Sequence, residues 1–202
     1  MTTELKVLQA IRLKGRVAVA DVAAAVDDDP ATVTETVLRL TDSGLVLAGE
    51  TVRLSQEGRA RLQELLAAER QAADLRAIGA AYDEFRVVNT DFKELVSDWQ
   101  LRCGQPNTHD DPGYDAAVLQ RLDGVHRRVV PIIAAVAGQL PRLSAYGDRL
   151  GAAYAKVQRG ETMWLTRPLI DSYHAVWFEL HEELIGAAGL TREDEARAGH
   201  AG

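Results

Sequence analysis

Two short patterns in the second half of the chain carry side chains that could do chemistry together. Asp123-x-x-His126 and Asp171-x-x-His174 each place a carboxylate three residues before an imidazole. Residues three apart on a helix share a face, so each pair would present an acid and a base side by side. If both faces turn inward, four polar groups meet in an otherwise apolar core, where unpaired burial is costly. They must then pair with each other, hold a metal or bind a polar ligand. Mutual Asp–His pairing needs no function. A site would instead leave His126 or His174 with an uncommitted nitrogen. The two patterns also echo each other, Leu122-Asp123-Gly124-Val125-His126 against Ile170-Asp171-Ser172-Tyr173-His174, in a match too short to establish a duplication.

Aromatic rings could complete a pocket around these groups. Tyr82, Trp99, Trp164, Tyr173, Trp177 and Phe178 are most of the large aromatics. Ligand pockets are mostly apolar with a few convergent polar groups. The candidate ligand-binding set is therefore Trp99, Arg102, His126, Trp164, Asp171, His174 and Trp177; ordinary core packing is the competing reading of the same rings. The carboxylate-x-x-His spacing resembles the motif of di-metal carboxylate bundle proteins, which use Glu there and add a Glu from each of two other helices. Asp91, Glu94 and Asp148 supply that set incompletely, and His181 and Glu182 lie further along the last helical stretch. No residue is assigned as a metal ligand. Cys103 has no neighbouring His, and the chain has no G-x-S-x-G, no G-x-x-x-x-G-K-[ST] and no G-x-G-x-x-G. Hence no catalytic residue and no cofactor is assigned.

The elements that must position these groups are helical. Residues 71–202 show no strand-like alternation of any length. Four stretches read as helices: 72–102, 114–139, 143–158 and 161–188. Ile78, Phe85, Phe92, Val96 and Trp99 are candidate core positions on the first, and Val118, Leu122, Val125, Val129 and Ile132 on the second. Pro131 should kink or split the second and Pro168 the fourth. Residues 104–113 read as a loop. Four antiparallel amphipathic helices with short connections predict a four-helix-bundle-like domain. Residues 191–202 are charged and read as a flexible tail.

The first 70 residues read as a separate domain. Leu5, Leu8 and Ile11 form a short helical stripe that Gly15 ends. Residues 17–19 read as a short strand and 20–26 as an Ala-rich helix. Asp29 followed by Pro30 is a helix start, with Asp29 as N-cap and Pro30 as the first helical residue. Val33, Val37 and Leu40 then fall on one face, and Gly44 stops the helix. Residues 45–47 and 52–54 read as a hairpin, and a long helix follows from Ser55. The segments DVAAAVDDDPATVTETVLRLTDSGLV and VRLSQEGRARLQELL resemble MarR-like winged helix-turn-helix regulators. The resemblance covers about a third of the chain. It implies a winged helix and, as a role, binding to DNA or docking to a protein. Residues 81–102 and 169–190 also resemble helical segments of actinobacterial phosphoenolpyruvate-utilising, pyruvate phosphate dikinase-like proteins. That kinship implies an accessory or regulatory part, since no phosphohistidine motif is present.

Charge limits what the first domain can bind. The chain has 23 Lys and Arg against 30 Asp and Glu, and its first 70 residues have 9 against 11. Neither half is basic enough to be a nucleic-acid module on composition alone. The DNA-facing candidates are Thr32, Thr36, Arg39 and Arg53, with Lys14, Arg16, Arg59 and Arg61 as the nearest other cations. Phosphate contacts supply most non-specific affinity, so DNA binding is expected to be weak. The longest apolar run, 129–137, contains Pro131 and is too short to cross a membrane. The single cysteine excludes an internal disulfide. The expectation is a mainly α, cytoplasmic, transcriptional-regulator-like homodimer, with a small-molecule ligand in the helical domain and no membrane partner. The alternative is a metal- or small-molecule-binding enzyme or accessory protein, with its site around Asp123/His126 and Asp171/His174.

Overall fold

The structure, a computed structural model, describes residues 2–197. The protein is mainly helical, with ten α-helices and four two-residue strands among the described residues. It divides into two compact units, Met1–Asp74 and Leu75–Gly202.

In the first unit the order is α1 (Thr3–Lys14), α2 (Val19–Val26), α3 (Pro30–Asp42), β1 (Val46–Leu47), β2 (Arg53–Leu54) and α4 (Gln56–Gln71). Each boundary has a local cause. Gly15, with φ 78°, ends α1, a left-handed turn that glycine adopts without a Cβ clash. Asp29 caps α3 by accepting from the Thr32 backbone N–H at 2.9 Å, with Pro30 at the first helical position. The Ser55 hydroxyl caps α4 through the Gly58 N–H. β1 pairs antiparallel with β2, Val46 opposite Leu54. Val17 adds one bridge to Val52, each N–H donating to the other's carbonyl. Val19, expected in a strand, instead opens α2. Leu8, Ile11, Val22, Val33, Leu40 and Leu62 are fully enclosed in this unit's own core.

The second unit contains α5 (Leu75–Gln100), β3 (Leu101–Arg102), β4 (Gln105–Pro106) and α6 (Pro112–Ala137). A 3-10 turn at Pro141–Ser144 leads into α7 (Ala145–Gln158), followed by α8 (Met163–Thr166), α9 (Tyr173–Ala187) and α10 (Arg192–Arg197). α5 packs along α6 and against α9, and α7 packs against α9. Pro131 neither splits nor ends α6, which runs unbroken past it. Both Pro131 and Arg127 four residues before it are exposed, so the Arg127 carbonyl that loses its helical donor can be met by solvent. The stretch around 104–113 is more ordered than a plain loop. β3 and β4 form a hairpin across Cys103 and Gly104, with φ of 51° and 76°, the pair of positive φ values that a two-residue hairpin turn needs. Two-residue strands are too short to show alternation, which hid them from the sequence. Residues 192–197 of the expected tail form α10, and 198–202 lie outside the described residues. No described helix is long and apolar enough to cross a membrane.

Candidate functional site

In the first unit, the exposed residues of α2, α3 and the turn between them include Asp21, Asp27, Asp29, Glu35 and Arg39. Leu38, one turn after Glu35 on α3, is 61% exposed. Thr36 is not among the exposed residues. It lies one turn after Val33 and one turn before Leu40, so helical spacing carries it into the core, where it is buried. That removes it from any base-reading set. The Thr32 hydroxyl donates to Asp29 at 3.0 Å, so its proton is committed to the helix cap. The same Thr32 groups hold the Asp29 carboxyl below its ordinary range, the backbone N–H first. Arg39 lies 3.7 Å from Glu4, which also pairs with Arg61 at 2.9 Å. Arg53 is exposed on β2, which follows the turn that carries Glu50.

In the second unit the two Asp-x-x-His patterns differ. Asp123 and His126 do share α6, but they do not pair. Asp123 Oδ1 accepts from the Tyr154 hydroxyl at 2.9 Å and from Gln158 Nε2 at 2.8 Å. His126 stacks flat on the Tyr154 ring at 4.2 Å, and its Nδ1 meets the Tyr173 hydroxyl at 3.2 Å. Tyr173 is fully buried, and burial raises its hydroxyl well above the ordinary tyrosine range. The phenol therefore keeps its proton; the contact engages Nδ1 and leaves Nε2 as the uncommitted nitrogen of His126. Burial lowers the His126 pKa, with Asp123 opposing more weakly.

Asp171 and His174 do not share a helix face. Asp171 precedes the N-cap Ser172, so α9 begins after it. Asp171 instead accepts from Arg149 Nε at 3.0 Å. Ser172 is a better cap than a continuation residue, and it breaks the i, i+3 relation that the sequence spacing suggests. His174, at the start of α9, meets the edge of Phe92. Neither ring nitrogen has a hydrogen-bond partner among the described residues. Burial lowers its pKa as well.

Of the seven expected ligand-binding residues, the structure links three. Trp177 packs on Phe92 at 4.3 Å, Phe92 touches both His174 and Tyr173, and Tyr173 holds His126. The other four are held elsewhere. Trp99 stacks on His109, and Asn107 ties that turn down by donating to the Trp99 carbonyl and to Asp115. Arg102 pairs with Asp111 at 2.8 Å and lies over the Tyr114 ring. Trp164 lies beneath the Lys156 ammonium at 3.2 Å, and Asp171 belongs to Arg149. Among the described residues no group of three or more His, Cys, Asp or Glu could hold one metal ion. The di-metal arrangement fails because Asp123 is taken by Tyr154 and Asp171 lies off the helix. What remains is a half-buried His126 with one open nitrogen, joined through Tyr173 and Phe92 to His174, whose ring nitrogens can still form hydrogen bonds.

Two polar clusters were not visible as sites in the sequence. Arg142 pairs with Glu183 at 2.7 Å and Arg149 with Glu179 at 2.8 Å, all four side chains buried between α7, the 3-10 turn before it, and α9. The other cluster joins Tyr82, Arg86, His181 and Glu195 from α5, α9 and α10. The four-residue step from Tyr82 to Arg86 was a usable signal, but nothing in sequence tied it to residue 195. No family model, curated protein or solved structure matches this chain.

Proposed function

We propose that the protein is a cytoplasmic regulator with two parts. Residues 1–74 act as a winged helix of the MarR-like kind, the output module. Residues 75–197 act as a bundle-like sensing domain that receives a small molecule. The order α1, α2, α3, wing and α4, with Val17 bridging to the wing strand, supports the winged-helix reading. The open nitrogens of His126 and His174 support the sensing role.

The observation that carries our reading of the output is charge. The exposed residues of α2, α3 and the turn between them include four acidic groups and one arginine, with Leu38 exposed on α3. Duplex DNA presents a dense row of phosphates, and a recognition helix needs cations and amides to meet phosphates and base edges. Thr36, one of the expected readers, is buried, and Arg39 is near Glu4. The module therefore acts by docking on a protein, its acidic, leucine-bearing surface meeting a basic one.

Fluorescence anisotropy of a labelled duplex, titrated with the full chain at low salt, tests this. The expected result is no binding at concentrations below about 10⁻⁵ M, within the ordinary non-specific range. Replacing Asp27 and Glu35 by Lys should create salt-dependent duplex binding, because it removes the repulsion and leaves the helix in place. If the unaltered chain binds a duplex, and Arg39→Ala weakens that binding by about 1–3 kcal/mol, the output is DNA and the docking reading is wrong.

A further inference from the structure

α10 has six residues, and the only side chain it buries is Glu195, which is 1% exposed. A helix this short has no stability of its own in water. Surface helices ordinarily attach through an apolar stripe; this one attaches through a carboxylate. Glu195 accepts two hydrogen bonds from the Arg86 guanidinium on α5, from Nη2 at Oε1 and from Nε at Oε2. The paired geometry is the one by which arginine recognises a planar carboxylate. The Arg86 guanidinium lies 4.7 Å over the Tyr82 ring, and the buried Tyr82 hydroxyl is raised well above the ordinary tyrosine range by its burial and then by the neighbouring Glu195 carboxylate. His181 Nε2 stands 3.3 Å from the same hydroxyl. Outside this cluster, Arg192 steadies α10 by pairing with Glu182 and stacking on Phe178.

Tyr82, Arg86 and His181 belong to α5 and α9, so the parts that recognise the carboxylate are built without α10. α10 supplies only the occupant. We propose that Arg86 and Tyr82 form a carboxylate-binding site for a small organic acid, and that Glu195 fills it as a built-in competitor, so that binding of the acid releases α10. The proposal rests on residues 75–197 being a sensing domain, and it names the chemical class sensed. A free carboxylate can make the same two bonds to Arg86 that Glu195 makes. Because Glu195 is the buried residue of α10, its displacement from Arg86 frees the helix as far as Arg192.

The test uses the full chain and two probes, sodium acetate and sodium succinate, with sodium chloride at matched ionic strength as control. Glu195→Ala removes the occupant and lowers the melting temperature. Acetate, the size of the group removed, should then raise it by a few degrees and saturate, while chloride does not. The double variant Arg86→Leu/Glu195→Ala should show no acetate effect. In the unaltered chain, succinate should speed tryptic cleavage after Arg192 several-fold over chloride. If acetate and chloride act alike on Glu195→Ala, or succinate leaves cleavage at Arg192 unchanged, Glu195 is a structural ion-pair partner and the site does not exist. Should Glu195→Ala fail to fold, the cleavage measurement on the unaltered chain decides alone. Neither readout depends on the duplex titration, so failure here leaves the output reading standing, and failure there leaves this site standing.

Discussion

His181 lies against Phe85, its ring 5.3 Å away, with Nε2 at the Tyr82 hydroxyl. Burial, with Arg192 adding to it, pushes its pKa down to about 4. Unfolded, an imidazole binds its proton near pH 6.5. Between these values the unfolded chain holds a proton that the folded chain does not. Stability from this group is therefore complete above pH 6.5 and is lost as the pH falls toward 4, by about 3 kcal/mol in all. His181→Gln should flatten the decline of melting temperature between pH 6.5 and 5 relative to the unaltered chain. An unchanged slope would mean that His181 takes up its proton without cost. His126 and His174 are shifted the same way and leave a residual slope. At this scale the sequence is legible where a residue's role is local. Asp29 and Pro30 announce a cap, and the structure has it. A stripe of Val33, Val37 and Leu40 leaves Thr36 among the outward residues, yet Thr36 lies between Val33 and Leu40 on the same face and is buried.

Pairing between elements depends on which helix meets which, and there the sequence is mute. Arg142 and Glu183 are 41 positions apart, yet they meet at 2.7 Å with both side chains almost wholly buried. Removing one partner strands the other charge in the interior, so Arg142→Met should destabilise the second unit by about 3–5 kcal/mol. Replacing both, Arg142→Met with Glu183→Leu, should recover most of that loss, since the stranded charge disappears too. A double variant no better than the single one would show that the pair is needed for something beyond neutralising itself. α4 offers a second test. A Cβ built on Gly58 would lie 2.0 Å from the Leu45 carbonyl oxygen, a backbone atom that cannot swing aside. Gly58→Ala must open the approach of α4 to the segment before β1, and should lower the stability of the first unit by about 2 kcal/mol or more, as overpacking does. Denaturant unfolding followed by far-ultraviolet circular dichroism measures it. The sequence located α3, α5, α6 and α7 to within a few residues because their apolar spacing is long and regular. It missed the β3–β4 hairpin and the break before α9. A short strand carries no period, and Asp171 looks helical until Ser172 is seen to cap the turn after it.

At the scale of the whole molecule, the division at Asp74–Leu75 separates two cores with different physics. The first unit closes over small aliphatic side chains such as Leu8, Val22, Val33 and Leu62 and buries few charges. The second stacks Phe85, Phe92, Tyr173 and Trp177, and it threads buried ion pairs and a Trp177–Asn89 hydrogen bond through the same helices. Each unit is long enough to bury a core of its own, and each of the two substitutions above acts within one of them. Heating the full chain should therefore give two transitions. Gly58→Ala should move one of them, Arg142→Met the other, and the combined variant should show both shifts at their separate sizes, as independent sites do. The three tryptophans, Trp99, Trp164 and Trp177, all lie in the second unit. Intrinsic fluorescence should then follow only the transition that Arg142→Met moves, while circular dichroism follows both. If Gly58→Ala shifted the fluorescence transition, or if both variants displaced a single common transition, the two cores would be one cooperative structure. The proposed sensing and output roles would then be coupled through that shared unfolding, not through a signal passed between two folded parts.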